Sequence, residues 1–258
     1  MKITAIANQK GGVGKTTTCV NMAAGLAQEG KHVLCIDFDP QGNLSDYVGH
    51  VPDEAATITE LMLTTAQGRP LEPMDAVRHN AEGIDYIPAD IRLSGAELFL
   101  STAMFREQVL KRVLSAPSLL FYDYILVDCL PSLGILLTNA LVASHSLVIP
   151  VQAQKFSLCG LDDLLANYDS VRQQANPLLH IDGVLVTMVD NTNMSKAVEE
   201  QLRERFPELT YQTVIRRSVE ATNSTYEQRS LVNTDKSRLG EQYAGMVSEF
   251  LQRQAHED

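Results

Sequence analysis

The chain has 258 residues, 45% of them hydrophobic, and a formal net charge of -11; this is enough chain to bury one large core. Its four cysteines (Cys19, Cys35, Cys129, Cys159) form no C-x-x-C pair and its six histidines show no ligand spacing, which excludes a disulfide framework, an iron–sulfur cluster and a cysteine-rich zinc site and fits a reducing cytoplasm. No apolar run reaches the ~20 residues that span a bilayer, and the acidic total disfavours nucleic acid and anionic lipid globally without excluding a local basic patch.

In chain order, Ile3–Ala7 reads as a core strand rather than a signal peptide. The run Gln9-Lys10-Gly11-Gly12-Val13-Gly14-Lys15-Thr16-Thr17 follows, and a helix is expected over Thr16–Glu29. This is the strand–loop–helix setting of a phosphate-binding P-loop, G-x-x-x-x-G-K-[ST], except that Gln9 stands where the first glycine belongs. Gly11, Gly12 and Gly14 let backbone amides, those of Val13 and Thr17 among them, surround an anion at a helix N-terminus. Lys15 is placed to reach the β- and γ-phosphates of ATP and the Thr16 hydroxyl to ligate Mg2+. A second ammonium in that cradle would meet like-charge repulsion, so Lys10 is expected to point outward, toward the nucleotide of a second molecule.

The next strand, His32–Asp37, runs into Asp39; the segment from Pro52 to Ala81 is rich in turn residues and suits short helices. A strand at Ile84–Pro88 and a long helix over Leu93–Leu114 come next. Tyr124–Asp128 is a strand that ends on Asp128. In a doubly wound sheet the carboxyl ends of parallel strands share one crevice. Asp128 therefore reads as a Walker-B-type carboxylate holding magnesium through water, and Asp39 is placed to orient an attacking water. Helix Leu133–Ala143, strand Ser146–Val151, helix Leu158–Gln174, strand Ile181–Val189 and helices Ser195–Phe206 and Gly240–Gln254 complete the chain. Strands alternating with helices predict an α/β fold: one doubly wound, mostly parallel sheet flanked by helices, of P-loop NTPase type. With no repeat or linker, residues 1–258 are expected to form one domain.

The charge is uneven. Residues 1–190 carry a net of -9, whereas residues 191–258 carry only -2, and the stretch from Arg203 to Arg238 is locally +2.

QKGGVGKTTT, followed by IDFDPQGN and ILVDCLPSLG, resembles the deviant Walker ATPases of the ParA/MinD group, specifically ParA/Soj-type partition ATPases. The likeness continues through VIPVQAQKFSLCGL and GVLVTMVDNTNMS to TVIRR and the last helix. The resemblance implies that Lys10 is a signature lysine crossing a nucleotide-sandwich homodimer formed with ATP, that Asp39 supports hydrolysis and that Asp128 supports magnesium. It implies nonspecific duplex-DNA binding, a ParB-like or cargo-adaptor protein that stimulates hydrolysis, and a cytoplasmic, nucleoid-associated life segregating plasmid, chromosome or other cargo. Arg217 falls on the arginine of the family's I-P-R motif, as a phosphate contact; Arg216 beside it doubles the charge, and Lys196 and Arg203 are the next candidates.

The sequence also departs from the family. Leu130 replaces the first of two prolines after the Walker-B aspartate, Ile215-Arg216-Arg217 replaces I-P-R, and Lys155 stands where an aromatic is common. Two other functions compete. A MinD-like membrane-associated division regulator needs a basic amphipathic C-terminal helix, whereas this chain ends in acidic Glu257-Asp258. A small-molecule P-loop kinase or amide-forming ligase needs an acceptor pocket and leaves Lys10 idle.

Overall fold

The computed structural model describes residues 1–154 and 159–257. Lys155, and Leu158 at the start of an expected helix, lie outside the described residues. Seven strands form one sheet in the order β3-β4-β2-β5-β1-β6-β7. They are β1 (Lys2–Ile6), β2 (Val33–Phe38), β3 (Arg78–His79), β4 (Asp85–Ile87), β5 (Tyr124–Cys129), β6 (Ser146–Gln152) and β7 (His180–Thr187). Every pairing is parallel except the short β3 edge, which runs antiparallel to β4. The expected sheet is therefore present; the β3 edge, two residues long, was not expected.

Helices α1 (Lys15–Gln28), α2 (Asn43–Tyr47), α3 (Ile58–Ala66), α4 (Ala96–Leu100), α5 (Val109–Leu114), α6 (Ile135–Ala143), α7 (Cys159–Gln174), α8 (Asn193–Arg205), α9 (Glu220–Tyr226) and α10 (Arg238–Glu257) cover both faces. Strand residues alternate between two cores. Ile3, Leu34, Ile36, Ile125 and Val127 face one; Ile6, Cys35, Leu126 and Leu185 face the other, under α1 and α10. The strands read as continuously apolar because both of their faces are buried. α1 and α10 approach closely at Gly25, where a Cβ would come within 2.8 Å of Val247 Cγ2. Leu239, Tyr243, Met246, Val247 and Phe250 of α10 are all buried in that contact layer.

The long helix expected over Leu93–Leu114 is corrected to two short helices, α4 and α5, separated by an irregular turn. The apolar spacing accounts for the break. Leu100 is buried, but Met104, one turn on, is 78% exposed, and burial resumes only at Val109. Phe105 adopts left-handed backbone, φ 51°, which no helix accommodates. Asn139 of α6 braces the turn: its side chain accepts from Leu110 N at 3.1 Å and donates to Arg106 O at 2.9 Å. In the 52–81 segment, α3 begins with a capping box in which Thr57 and Glu60 satisfy each other's backbone groups.

Candidate functional site

The carboxyl ends of β1, β2, β5 and β7 open onto one cleft of about 1120 Å³. The loop after β1 forms its floor. Gly12 and Gly14 have φ of 69° and 91°, a region open to glycine and costly for other residues. Added Cβ atoms at Gly11, Gly12 and Gly14 would meet nothing within 4 Å, so the glycines leave backbone open toward the cleft. Helix α1 starts there with no side-chain cap and no acidic residue in its first turn. Its leading amides and the positive end of its dipole are thus directed at whatever anion enters. The loop is pinned from behind by Thr187, whose hydroxyl donates to Val13 O at 2.8 Å.

Lys15 is buried, and Nζ donates to Lys10 O at 3.2 Å. Burial lowers its pKa, while the carboxylate of Asp128 pulls the other way. The Thr16 hydroxyl donates to Asp128 Oδ2 at 2.7 Å, and Asp128 Oδ1 is buried with no hydrogen-bond partner. Asp128 is 1% exposed; burial first, and the neighbouring Asp37 charge second, push its pKa up to about 8. An orphaned carboxylate oxygen beside a hydroxyl is a pair of hard oxygen donors, the kind that magnesium selects. Among the described residues no three His, Cys, Asp or Glu side chains converge as a complete cage. A cation here would draw its other ligands from phosphate oxygens and water.

Asp39 also lines the cleft, just past the end of β2. Its Oδ1 accepts from Gln41 N at 3.0 Å, and its own amide donates to Asp37 Oδ1 at 3.3 Å. Asp37 also accepts from Ser45 N at 2.8 Å and Ser45 Oγ at 2.7 Å, so it serves the backbone of the turn while Asp39 faces the cleft. Leu130, Pro131 and Ser132 line the cleft after Asp128. Leu130, the residue in place of a family proline, is partly buried against the core.

Lys10 does not enter the cradle. Its Nζ donates to Gln152 Oε1 at 3.0 Å, at the end of β6, and to Gln154 Oε1 at 3.4 Å, just past it. Its amide donates to Asn8 Oδ1 at 2.9 Å, and Asn8 is in turn fixed on Pro150 O at 2.7 Å.

The far end of the cleft is built from residues that sequence reasoning missed: Met188 after β7, and Ala221, Thr222, Thr225 and Tyr226 of α9. Met188 holds φ of 53°, a conformation costly for a bulky side chain. The Ser/Thr/Asn-rich run of α9 has low helix propensity and reads as loop. Its one local signal is Ser218, which accepts from Glu220 N at 3.2 Å.

The four basic candidates divide. Arg216, Arg217 and Lys196 are exposed; the backbone of the two arginines is fixed by Arg216 N to Gln242 Oε1 at 2.8 Å and Arg217 N to Val189 O at 2.9 Å. Arg203 is instead engaged internally. Its guanidinium bonds Glu199 Oε1 at 3.0 and 3.1 Å and the carbonyls of Tyr211 and Gln212 at 3.2 Å, making it a strut between α8 and the following chain.

Comparison with known proteins agrees with this geometry. A family model described as an AAA domain matches residues 1–181. The sporulation initiation inhibitor protein Soj of Bacillus subtilis is 42% identical over 252 residues, 96% of this chain and 97% of Soj. The chromosome partitioning protein ParA of Caulobacter vibrioides is 37% identical over 98% of this chain and 95% of its own length. Among solved structures, a Cyanothece McdA–ATP complex superimposes with a TM-score of 0.85 at 27% identity, covering 98% of this chain and 96% of McdA. Cobyrinic acid a,c-diamide synthase from Mycobacterium smegmatis, solved with ADP and magnesium, gives 0.84 at 33% identity, covering 100% of this chain and 97% of the synthase.

Proposed function

The chain belongs to the ParA/Soj-type family of P-loop ATPases, and on that premise we propose that it is a partition or positioning ATPase. Its ATP-bound homodimer binds duplex DNA nonspecifically and is released by hydrolysis that a ParB-like or cargo-adaptor protein stimulates. The observation that carries this reading is the separation of two lysines. Lys15 lies in the phosphate cradle, whereas Lys10 Nζ rests on Gln152, 3.0 Å away at the rim. An ammonium held at the rim, away from its own cradle, is placed to act on a second cleft as a cation supplied in trans.

In this reading the amides of Gly11 to Thr17 and the Lys15 ammonium hold the β- and γ-phosphates of ATP. Thr16 and Asp128 would hold magnesium, Asp128 through water. The metal, when bound, neutralises charge on the phosphate oxygens. Asp39 orients the attacking water, and Lys10 of one protomer meets the nucleotide of the other. Orienting that water is enough, because positioning rather than deprotonation dominates phosphoryl transfer. The protein works in the cytoplasm, on the nucleoid. Residues 1–258 act as one folding unit.

The membrane alternative is weakened by α10, whose apolar residues are spent against α1; no described helix is long and apolar enough to cross a membrane. The likeness to an amide-forming synthase keeps a ligase as the second reading. Purified protein given ATP, ADP or neither decides: ATP alone should produce a dimer by light scattering, retain duplex DNA, and release phosphate with no acceptor present. Failure to dimerise or to release phosphate without an acceptor overturns the proposal.

A further inference from the structure

The two ends of the cleft are built on different elements, and one buried hydroxyl joins them. α9 walls the far end, and Asp39 leads through Gly42 into α2 at the phosphate end. Tyr47, the last residue of α2, is 2% exposed. Its hydroxyl lies 2.6 Å from Ser224 Oγ of α9 and 3.3 Å from Asn21 Nδ2 of α1.

The direction of every hydrogen follows by elimination. Asn21 Oδ1 accepts from Leu231 N at 2.7 Å and Val232 N at 3.2 Å, so that oxygen is committed and the amide cannot be flipped. Asn21 Nδ2 must donate, to Thr17 O at 2.8 Å and to the Tyr47 oxygen. Having accepted there, Tyr47 has its one proton for Ser224 Oγ, and Ser224 passes its own to Ala221 O at 3.0 Å. Burial raises the Tyr47 pKa, which keeps that proton in place. Asn21, Tyr47, Ser224 and Ala221 thus form a one-way chain from the phosphate helix, through α2, to the wall of the cleft.

From this juxtaposition we propose that the Tyr47 hydroxyl is a positioning group: it locks α2, and with it the Asp39 loop, to the helix against which the nucleoside end of the bound triphosphate rests. The connection to Asp39 is short. Asp46 N bonds Gly42 O and Gly42 N bonds Asp39 O, both at 2.9 Å. On the other side, Thr222 and Thr225 flank Ser224 and line the cleft, so a ligand seated on α9 acts on the residue that holds Tyr47. The inference rests on the reading of the cleft as an ATP site.

The test uses the full chain with saturating ATP and magnesium, comparing wild type with Tyr47→Phe, Ser224→Ala and the double variant. A lost buried hydrogen bond to a positioning group predicts a kcat lower by ~3–10-fold in each single variant. KM should stay within about twofold, and the double variant should lose no more than the larger single loss, because both break one chain. A purely structural hydroxyl would lower the melting midpoint and leave kcat per folded molecule unchanged. Wild-type kcat in either folded single variant, or losses that multiply in the double, overturn the proposal. If Tyr47→Phe does not fold, Ser224→Ala decides alone. Wild type that releases no phosphate from ATP overturns the reading of the cleft instead.

Discussion

Asp37 and Asp128 stand directly opposite each other in the parallel register of β2 and β5, both buried. Burial pushes their pKa values up to about 6 and about 8 respectively, and the Asp37 charge adds to the rise at Asp128. A like charge beside a buried carboxyl disfavours its ionised form, which is why the rise is larger at Asp128.

That pair predicts how stability depends on pH when no metal is present. A carboxyl whose pKa rises on folding binds its proton more tightly in the folded chain. Its stabilising contribution is complete below its unfolded pKa, about 4, and is lost as pH climbs through about 6 for Asp37 and about 8 for Asp128. In EDTA, the melting midpoint should fall steadily from pH 5 to pH 8.5, by roughly 2–4 °C for each kcal/mol lost. Asp128→Asn, which keeps an oxygen for Thr16, should flatten the upper part of that slope. An unchanged slope in this variant would show that Asp128 ionises freely.

Lys10→Ala should separate nucleotide binding from dimerisation. The side chain contacts Gln152 and Gln154, not the cradle, so ATP binding within one protomer should persist. A charge-assisted contact across the dimer is worth about 1.5–3 kcal/mol, and losing two of them should abolish the ATP-dependent mass increase in light scattering. A dimer of wild-type stability would exclude a role for Lys10 in the partner's site.

Asp39→Ala should slow ATP turnover by ~10²–10⁴ while the ATP-bound dimer accumulates. The cradle amides and Lys15 do not hydrogen-bond Asp39, whose carboxylate accepts from Gln41 N of the adjacent turn. Phosphate release and dimer fraction, measured on the same sample, check both halves. Turnover at the wild-type rate would remove Asp39 from the hydrolytic step.

The phosphate end of the site was legible in the sequence, and the reason is chemical. A cradle for an anion needs glycines at set positions, and strands buried on both faces need unbroken apolar runs, so Gly12, Gly14, Lys15 and Asp128 declare themselves. The far end was not legible. α9 is a helix of Ser, Thr and Asn that tertiary packing stabilises against its own propensity, and Ser224 is fixed by Tyr47, which lies far from it in the chain. The break between Leu100 and Val109 was hidden for a related reason. Apolar residues such as Met104 and Phe105 fill the helical period there, yet both are exposed, so composition alone mimicked a continuous helix. Arg203 could be counted as a charge in the sequence, but only folding reveals the carbonyls it holds.

The last prediction concerns DNA. Arg216 and Arg217 lie beside the chain just past β7, on the bridge that pairs Val189 with Arg216, and both side chains are exposed. The net Coulombic value of an exposed arginine in the free protein is small, so replacing these two should cost the fold little. Arg216→Glu with Arg217→Glu should therefore leave the ATP dimer intact and abolish retention of duplex DNA at physiological salt. Contacts to phosphates release counterions, so Arg217→Ala alone should flatten the salt dependence of binding by roughly one unit of slope, equally for unrelated sequences. Because a dimer presents two copies of the patch, weakening each copy is multiplied in the ATP state. Arg203→Glu should behave differently: breaking its bonds to Glu199, Tyr211 and Gln212 should lower the melting midpoint before it alters DNA binding. Full DNA retention by the double variant at Arg216 and Arg217 would move the interface elsewhere, with Lys196 on α8 the next side chain to replace.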